Sequence, residues 1–137
     1  MLKQICFFRK RPDMTMDEFM DYYENQHSQL AQKMGAQPAI PNAVRYVRRY
    51  LVPERNPITG EIHDPGYDCI MEIWWNSRED FERSQAIISS PERLPITKAD
   101  EEKLFAGHEN PVCTCIEYDS PMGPNGEATH VDLRYGD

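Results

Sequence analysis

Residues 2–9, Leu-Lys-Gln-Ile-Cys-Phe-Phe-Arg, mix β-forming side chains in partial alternation and predict a strand. Arg11-Pro12-Asp13 then turns the chain. Thr15-Met16-Asp17-Glu18 has the form of a capping box, with acidic side chains in the first turn to complement the helix dipole. Phe19, Tyr22, Tyr23, Leu30, Ala31 and Met34 recur at helical spacing. They predict one amphipathic helix running to about Met34, where Gly35, Pro38 and Pro41 end it.

The pattern then changes period. Residues 43–52 alternate as a strand, with Val44, Tyr46, Arg48, Tyr50 and Val52 on one face and Arg45, Val47, Arg49 and Leu51 on the other. Residues 53–66, with three prolines and an Ile-Thr-Gly-Glu turn, read as a loop longer than ordinary, of the kind that often covers a site. Residues 67–75 form the third strand, dividing Tyr67, Cys69, Met71, Ile73 and Trp75 from Asp68, Ile70, Glu72 and Trp74. Ser77-Arg78-Glu79-Asp80 opens a second helix to about Ile88. A short helical piece follows around 98–105, and residues 111–118 make a fourth strand. From Asp119 the chain turns to Gly, Pro and polar residues, which predicts a tail over 119–137 that is mobile or docks on a neighbour.

Strand-helix-strand-strand-helix-strand is the split β-α-β order, so residues 1–118 are expected to form an α+β, ferredoxin-like sandwich. Both helices would lie on one face of its antiparallel sheet. Yet both faces of the third strand carry large apolar groups, where a sheet wet on one side alternates more cleanly. A second copy of the chain, packed sheet to sheet, is the expected cover. About 800 Å² per subunit would make a stable homodimer of that kind.

Composition narrows the partners. The net charge of −8 argues against nucleic acid or an anionic membrane, both of which attract clustered Lys and Arg. No apolar run approaches the roughly 20 residues of a membrane span. The first residues lead directly into a strand pattern without a signal-peptide layout, which points to the cytoplasm. Two Trp, seven Tyr and five Phe supply bulky core and pocket material. Cys6, Cys69 and Cys113 fall in apolar strand patterns, and Cys113-Thr114-Cys115 lacks the spacing of a redox or zinc pair. His63, His108 and His130 are scattered without metal-ligand spacing, so no metal is expected. Absent nucleotide or nucleophile-elbow motifs, no cofactor is expected either.

His27 is the foremost candidate. It lies four positions after Tyr23, eight after Phe19 and three before Leu30, on the face directed at the sheet. Imidazole titrates nearest neutrality and suits general acid–base work, although such spacing equally fits a core histidine bonded to a carbonyl. Asp68 and Glu72 share a strand face with Ile70 and Trp74. If that face turns to the helices, Asp68 orients His27 and Trp74 forms an aromatic wall. If it faces the partner subunit, the carboxylates are interface groups. Tyr46 and Tyr50 flank Arg48, and a phenol beside a guanidinium can polarise a carbonyl or phenolate oxygen.

Taken together, Phe8 to Thr15, Glu18-Phe19, Tyr22-Tyr23-Glu24-Asn25-Gln26-His27, Arg45-Tyr46-Val47, Tyr67 to Trp74 and Phe81 resemble the EthD-like family of dimeric α+β barrel proteins. The resemblance spans about residues 2–118. Similar proteins, many from fungal polyketide pathways, are credited with cofactor-free dehydration, decarboxylation, cyclisation or oxygenation of polycyclic aromatic intermediates. Their pocket usually lies between each subunit's sheet and helices. The resemblance thus implies a cofactor-independent lyase for a small aromatic or enolisable substrate. His27 and Asp68 would be catalytic, and Tyr23, Tyr46, Arg48, Tyr50 and Trp74 would bind the substrate. A cofactor-free monooxygenase or cyclase, or a binding protein without chemistry, are the alternatives.

Overall fold

The computed structural model describes residues 1–35, 40, 42–119 and 131–134. Strands β1 (Leu2–Phe8), β2 (Ala43–Tyr50), β3 (Cys69–Trp75) and β4 (Val112–Thr114) form one antiparallel sheet in the order β2-β3-β1-β4. Helices α1 (Met16–Asn25), α2 (Leu30–Lys33), α3 (Arg78–Ile88) and α4 (Leu94–Glu101) complete the domain. The fold is α+β and ferredoxin-like, as the element order implies.

Both predicted helix starts are present. Thr15 accepts from the backbone of Glu18 while the Glu18 side chain returns to Thr15, a complete capping box, and Ser77 accepts from Asp80 N at 3.1 Å. Each such cap is worth about 1 kcal/mol.

Strand parity is the first question the sequence left open. Cys69, Met71, Ile73 and Trp75 are buried on the helix side with Leu2, Cys6, Phe8, Phe19 and Tyr23. Pairing of Tyr46 with Ile73, Arg48 with Met71 and Tyr50 with Cys69 puts Tyr46, Arg48 and Tyr50 on that same side. Ile70, Glu72 and Trp74 therefore occupy the opposite face. Phe19 and Tyr23 are fully buried in this core, and Phe8 stacks on Phe105 at 4.2 Å. Truncating Phe19 to Ala would cost about 3–5 kcal/mol.

The first helix is shorter than its apolar pattern. It ends at Asn25, and Gln26 leaves helical geometry at φ −124°, ψ −65°. A 3-10 turn, His27–Gln29, and the single turn of α2 follow. The cause is local competition for carbonyls. Ser28 Oγ and Gln29 Nε2 both donate to the Glu24 carbonyl, at 2.8 and 3.0 Å, and Lys33 Nζ donates to that of Asn25 at 3.2 Å.

Two further boundaries moved. The helical piece expected at 98–105 begins at Leu94, with Pro95 in its first turn, where a missing N–H costs nothing. The expected fourth strand divides into β4 and β5 (Ile116–Asp119), and β5 pairs with β6 (Val131–Arg134) in a separate hairpin. Lys3 ties this hairpin to β1 through Glu117 at 2.8 Å. Of the expected tail, residues 120–130 and 135–137 lie outside the described residues.

Candidate functional site

Between the helix side of the sheet and the helices lies a cavity of about 300 Å³, at the small end of the range for small-molecule pockets. Cys6, Phe8, Met71 and Ile73 form its floor, and Tyr23, Tyr46, Leu30, Ile87 and Ile88 contribute walls. His27 reaches it from the 3-10 turn that breaks the first helix.

The imidazole does not meet Asp68. Its Nδ1 lies 2.7 Å from Asp100 Oδ2 on α4, and both side chains are largely buried. The other Asp100 oxygen accepts from Tyr22 OH at 2.6 Å. Burial, with the Asp100 bond and charge, pushes the Tyr22 phenol up to about 12, so it stays a hydrogen-bond donor at neutral pH. Tyr23 and Phe105 set their rings edge-on to the imidazole at 5.1 and 5.4 Å, holding its plane. Nδ1 is thus engaged, while among the described residues Nε2 has no hydrogen-bond partner.

Tyr23 and Tyr46 both adjoin the cavity. Tyr46 OH donates to Tyr23 OH at 3.2 Å, which leaves the Tyr23 proton available to an acceptor. Burial raises both phenols, Tyr46 to about 12 and Tyr23 well above its ordinary value. Both are neutral donors. Cys6 also lines the cavity, but burial pushes its thiol up to about 11, so it contributes volume and not a nucleophile.

Four expected site residues are placed elsewhere. Asp68 Oδ2 accepts from Lys10 N at 2.9 Å, pinning the end of β1, because its strand face points away from the helices. Trp74 lies on that same outer face. There its Nε1 donates to Glu72 at 2.6 Å, and Lys3 and Arg45 stand over its ring at 4.1 and 5.2 Å. Arg48 and Tyr50 are on the helix side but turn to Glu24. Arg48 binds that carboxylate through Nε, at 3.0 Å, and Nη2, and Tyr50 OH donates to it at 2.5 Å. The Arg48 hydrogen bond holds the Glu24 carboxyl below its usual range against the cost of burial.

Asp100 is the residue that sequence reasoning missed. Its signal was present: in the helical piece expected over 98–105 it lies four positions before Leu104, which puts an acid on the face that an apolar side chain turns inward. The remaining histidines form no such arrangement. His108 is held between Glu101 and Glu102, each at 3.2 Å. Among the described residues no group of three or more His, Cys, Asp or Glu is arranged to hold a metal ion, and no helix is long and apolar enough to cross a membrane.

The EthD domain model matches residues 11–108, which cover α1, the histidine turn and α4. The chain belongs to the EthD family. Among solved structures, an EthD family protein (ethyl tert-butyl ether d) from Bacillus halodurans is 20% identical, with a TM-score of 0.54. The match covers 85% of this chain and 99% of that one. An Arabidopsis thaliana protein is 13% identical at a TM-score of 0.53, covering 84% and 93%. These likenesses bear on the EthD fold alone. No curated protein matches the chain.

Proposed function

We propose that this EthD chain is a cofactor-independent lyase that removes water or carbon dioxide from a polyketide-type aromatic or enolisable intermediate. The observation that carries the reading is the Asp100–His27 pair, whose imidazole borders a cavity floored by apolar side chains. Asp100 accepts the Nδ1 proton, which fixes the tautomer and leaves Nε2 as the base.

In the dehydration, Nε2 removes a proton from the carbon next to a substrate carbonyl, and the electron pair moves to the carbonyl oxygen. Tyr23, relayed from Tyr46, donates to that enolate oxygen. As the enolate collapses, the carbon–hydroxyl bond breaks and the imidazolium returns its proton to the departing oxygen. An enone and water result, and the catalyst is restored. In a decarboxylation Nε2 would first take the proton of the substrate's carboxyl group, and the imidazolium so formed would protonate the carbon from which carbon dioxide has left. Phe8, Met71 and Ile73 would keep bulk water away from the enolate.

We place the working form as a homodimer. Phe7, Ile70 and Trp74, partly buried on the sheet face away from the helices, would be covered by a second copy, and sedimentation of the purified chain tests this. Function is tested by incubating the protein with ring-fused β-hydroxy ketones and β-keto acids and following mass loss. Release of water or carbon dioxide above the uncatalysed rate supports the lyase. Ligand recovered unchanged makes the chain a binding protein, and oxygen consumption makes it a monooxygenase.

A further inference from the structure

The charged side chains that border the cavity are matched, with one exception. Asp80 is paired with Arg83 at 3.0 Å and Glu101 with His108 at 3.2 Å. Arg93, at the turn that starts α4, also borders the cavity. Its Nε is sealed from solvent without a hydrogen-bond partner, and among the described residues no carboxylate pairs with its guanidinium. The covered Nε holds the guanidinium at the cavity wall at a cost in desolvation, and the positive charge left unpaired there is one that an anion in the cavity can answer through the remaining donors of the fork.

We propose that Arg93 is an anion anchor and that the ligand is an aromatic carboxylic acid. Its carboxylate is held by the planar fork of donors while its rings lie on the apolar floor. This assignment rests on the cavity being the substrate site, and it sharpens the chemistry there. A carboxylate that leaves as carbon dioxide loses its charge in the transition state. A guanidinium bound to it would therefore stabilise the starting acid more than the transition state. The anchored acid is a handle and not the leaving group. Of the two lyase reactions, dehydration with the carboxyl retained follows.

The test uses 2-naphthoate and its uncharged counterpart 2-naphthamide, titrated calorimetrically into the full chain at neutral pH and low salt. Naphthoate should bind at least about tenfold more tightly, the minimum expected of a charge-assisted contact, and the advantage should shrink with added salt. In Arg93→Gln the two affinities should converge while that for naphthamide is unchanged, and Arg93→Lys should keep part of the preference. Equal affinities in the unaltered protein overturn the proposal, as does naphthoate that fails to bind or a preference that survives in Arg93→Gln. Should the Gln variant not fold, the salt dependence decides, and a preference indifferent to salt overturns the anchor. His27→Ala should keep the naphthoate preference. Its turnover and the Arg93 affinities therefore fail separately, distinguishing an error in the lyase reading from one in the anchor.

Discussion

Two carboxylates on the helix side of the sheet are built alike and do different things. Asp100 receives a phenol, Tyr22, and an imidazole, His27, at 2.6 and 2.7 Å. Glu24 receives a phenol, Tyr50, and a guanidinium, Arg48. The guanidinium cannot give up its proton at any ordinary pH, so the Glu24 cluster is a fixed brace between α1 and β2. An imidazole, unlike a guanidinium, can both take up and release a proton in a reaction, so the Asp100 cluster can carry chemistry. Within one core, the nitrogen group facing the carboxylate separates a structural ion pair from a candidate acid–base pair.

The contrast breaks most visibly at His27. His27→Ala should reduce turnover by about 10²- to 10⁴-fold, while Glu24→Gln leaves turnover near that of the unaltered protein. Steady-state rates on whichever substrate the product screen identifies measure both. Asp100→Asn comes next. The amide can donate to Nδ1, moving the imidazole proton to Nε2 where the base is needed, and turnover should fall about 10- to 100-fold. Equal rates in Asp100→Asn and the unaltered chain would remove Asp100 from the mechanism.

Glu24→Gln belongs to stability. The carboxyl of Glu24 is lowered in the folded chain from its ordinary 4.5. Its contribution is therefore fully present above that ordinary value and is lost as pH falls through the lower folded value. Partly exposed, the cluster is worth about 0.5–1 kcal/mol. Denaturant unfolding should show that deficit in the Gln variant at neutral pH and no deficit once the pH is below the folded value. The smallest effect belongs to Asp68→Asn. The amide oxygen still accepts from Lys10 N, so stability should stay within about 0.5 kcal/mol and turnover should not move.

The helix starts were legible because capping is chemistry between neighbours: Thr15 with Glu18 and Ser77 with Asp80 are three residues apart. The order of strands was legible because each carries its own period. Which side of β3 meets the helices was not, since Cys69, Met71 and Ile73 compete with Ile70 and Trp74 on nearly equal apolar terms. Asp68 and Trp74 were misplaced together by that one ambiguity. The Asp100 contact joins residues 73 positions apart, and pairing at that range is set by how α4 docks and not by any local pattern. The inward direction of His27 was legible, but its apolar spacing suggested an unbroken helix and concealed the turn that presents it.

That turn has a consequence for how the protein can change. His27 stands beyond the last regular turn of α1, held by side chains that occupy the carbonyls of Glu24 and Asn25. Its aim is thus uncoupled from the register of the helix whose Phe19 and Tyr23 are locked into the core. Substitutions at Ser28, Gln29 and Lys33 can re-point the imidazole without disturbing the aromatic packing. This makes those three positions the natural ones to vary when a different molecule is to be accommodated.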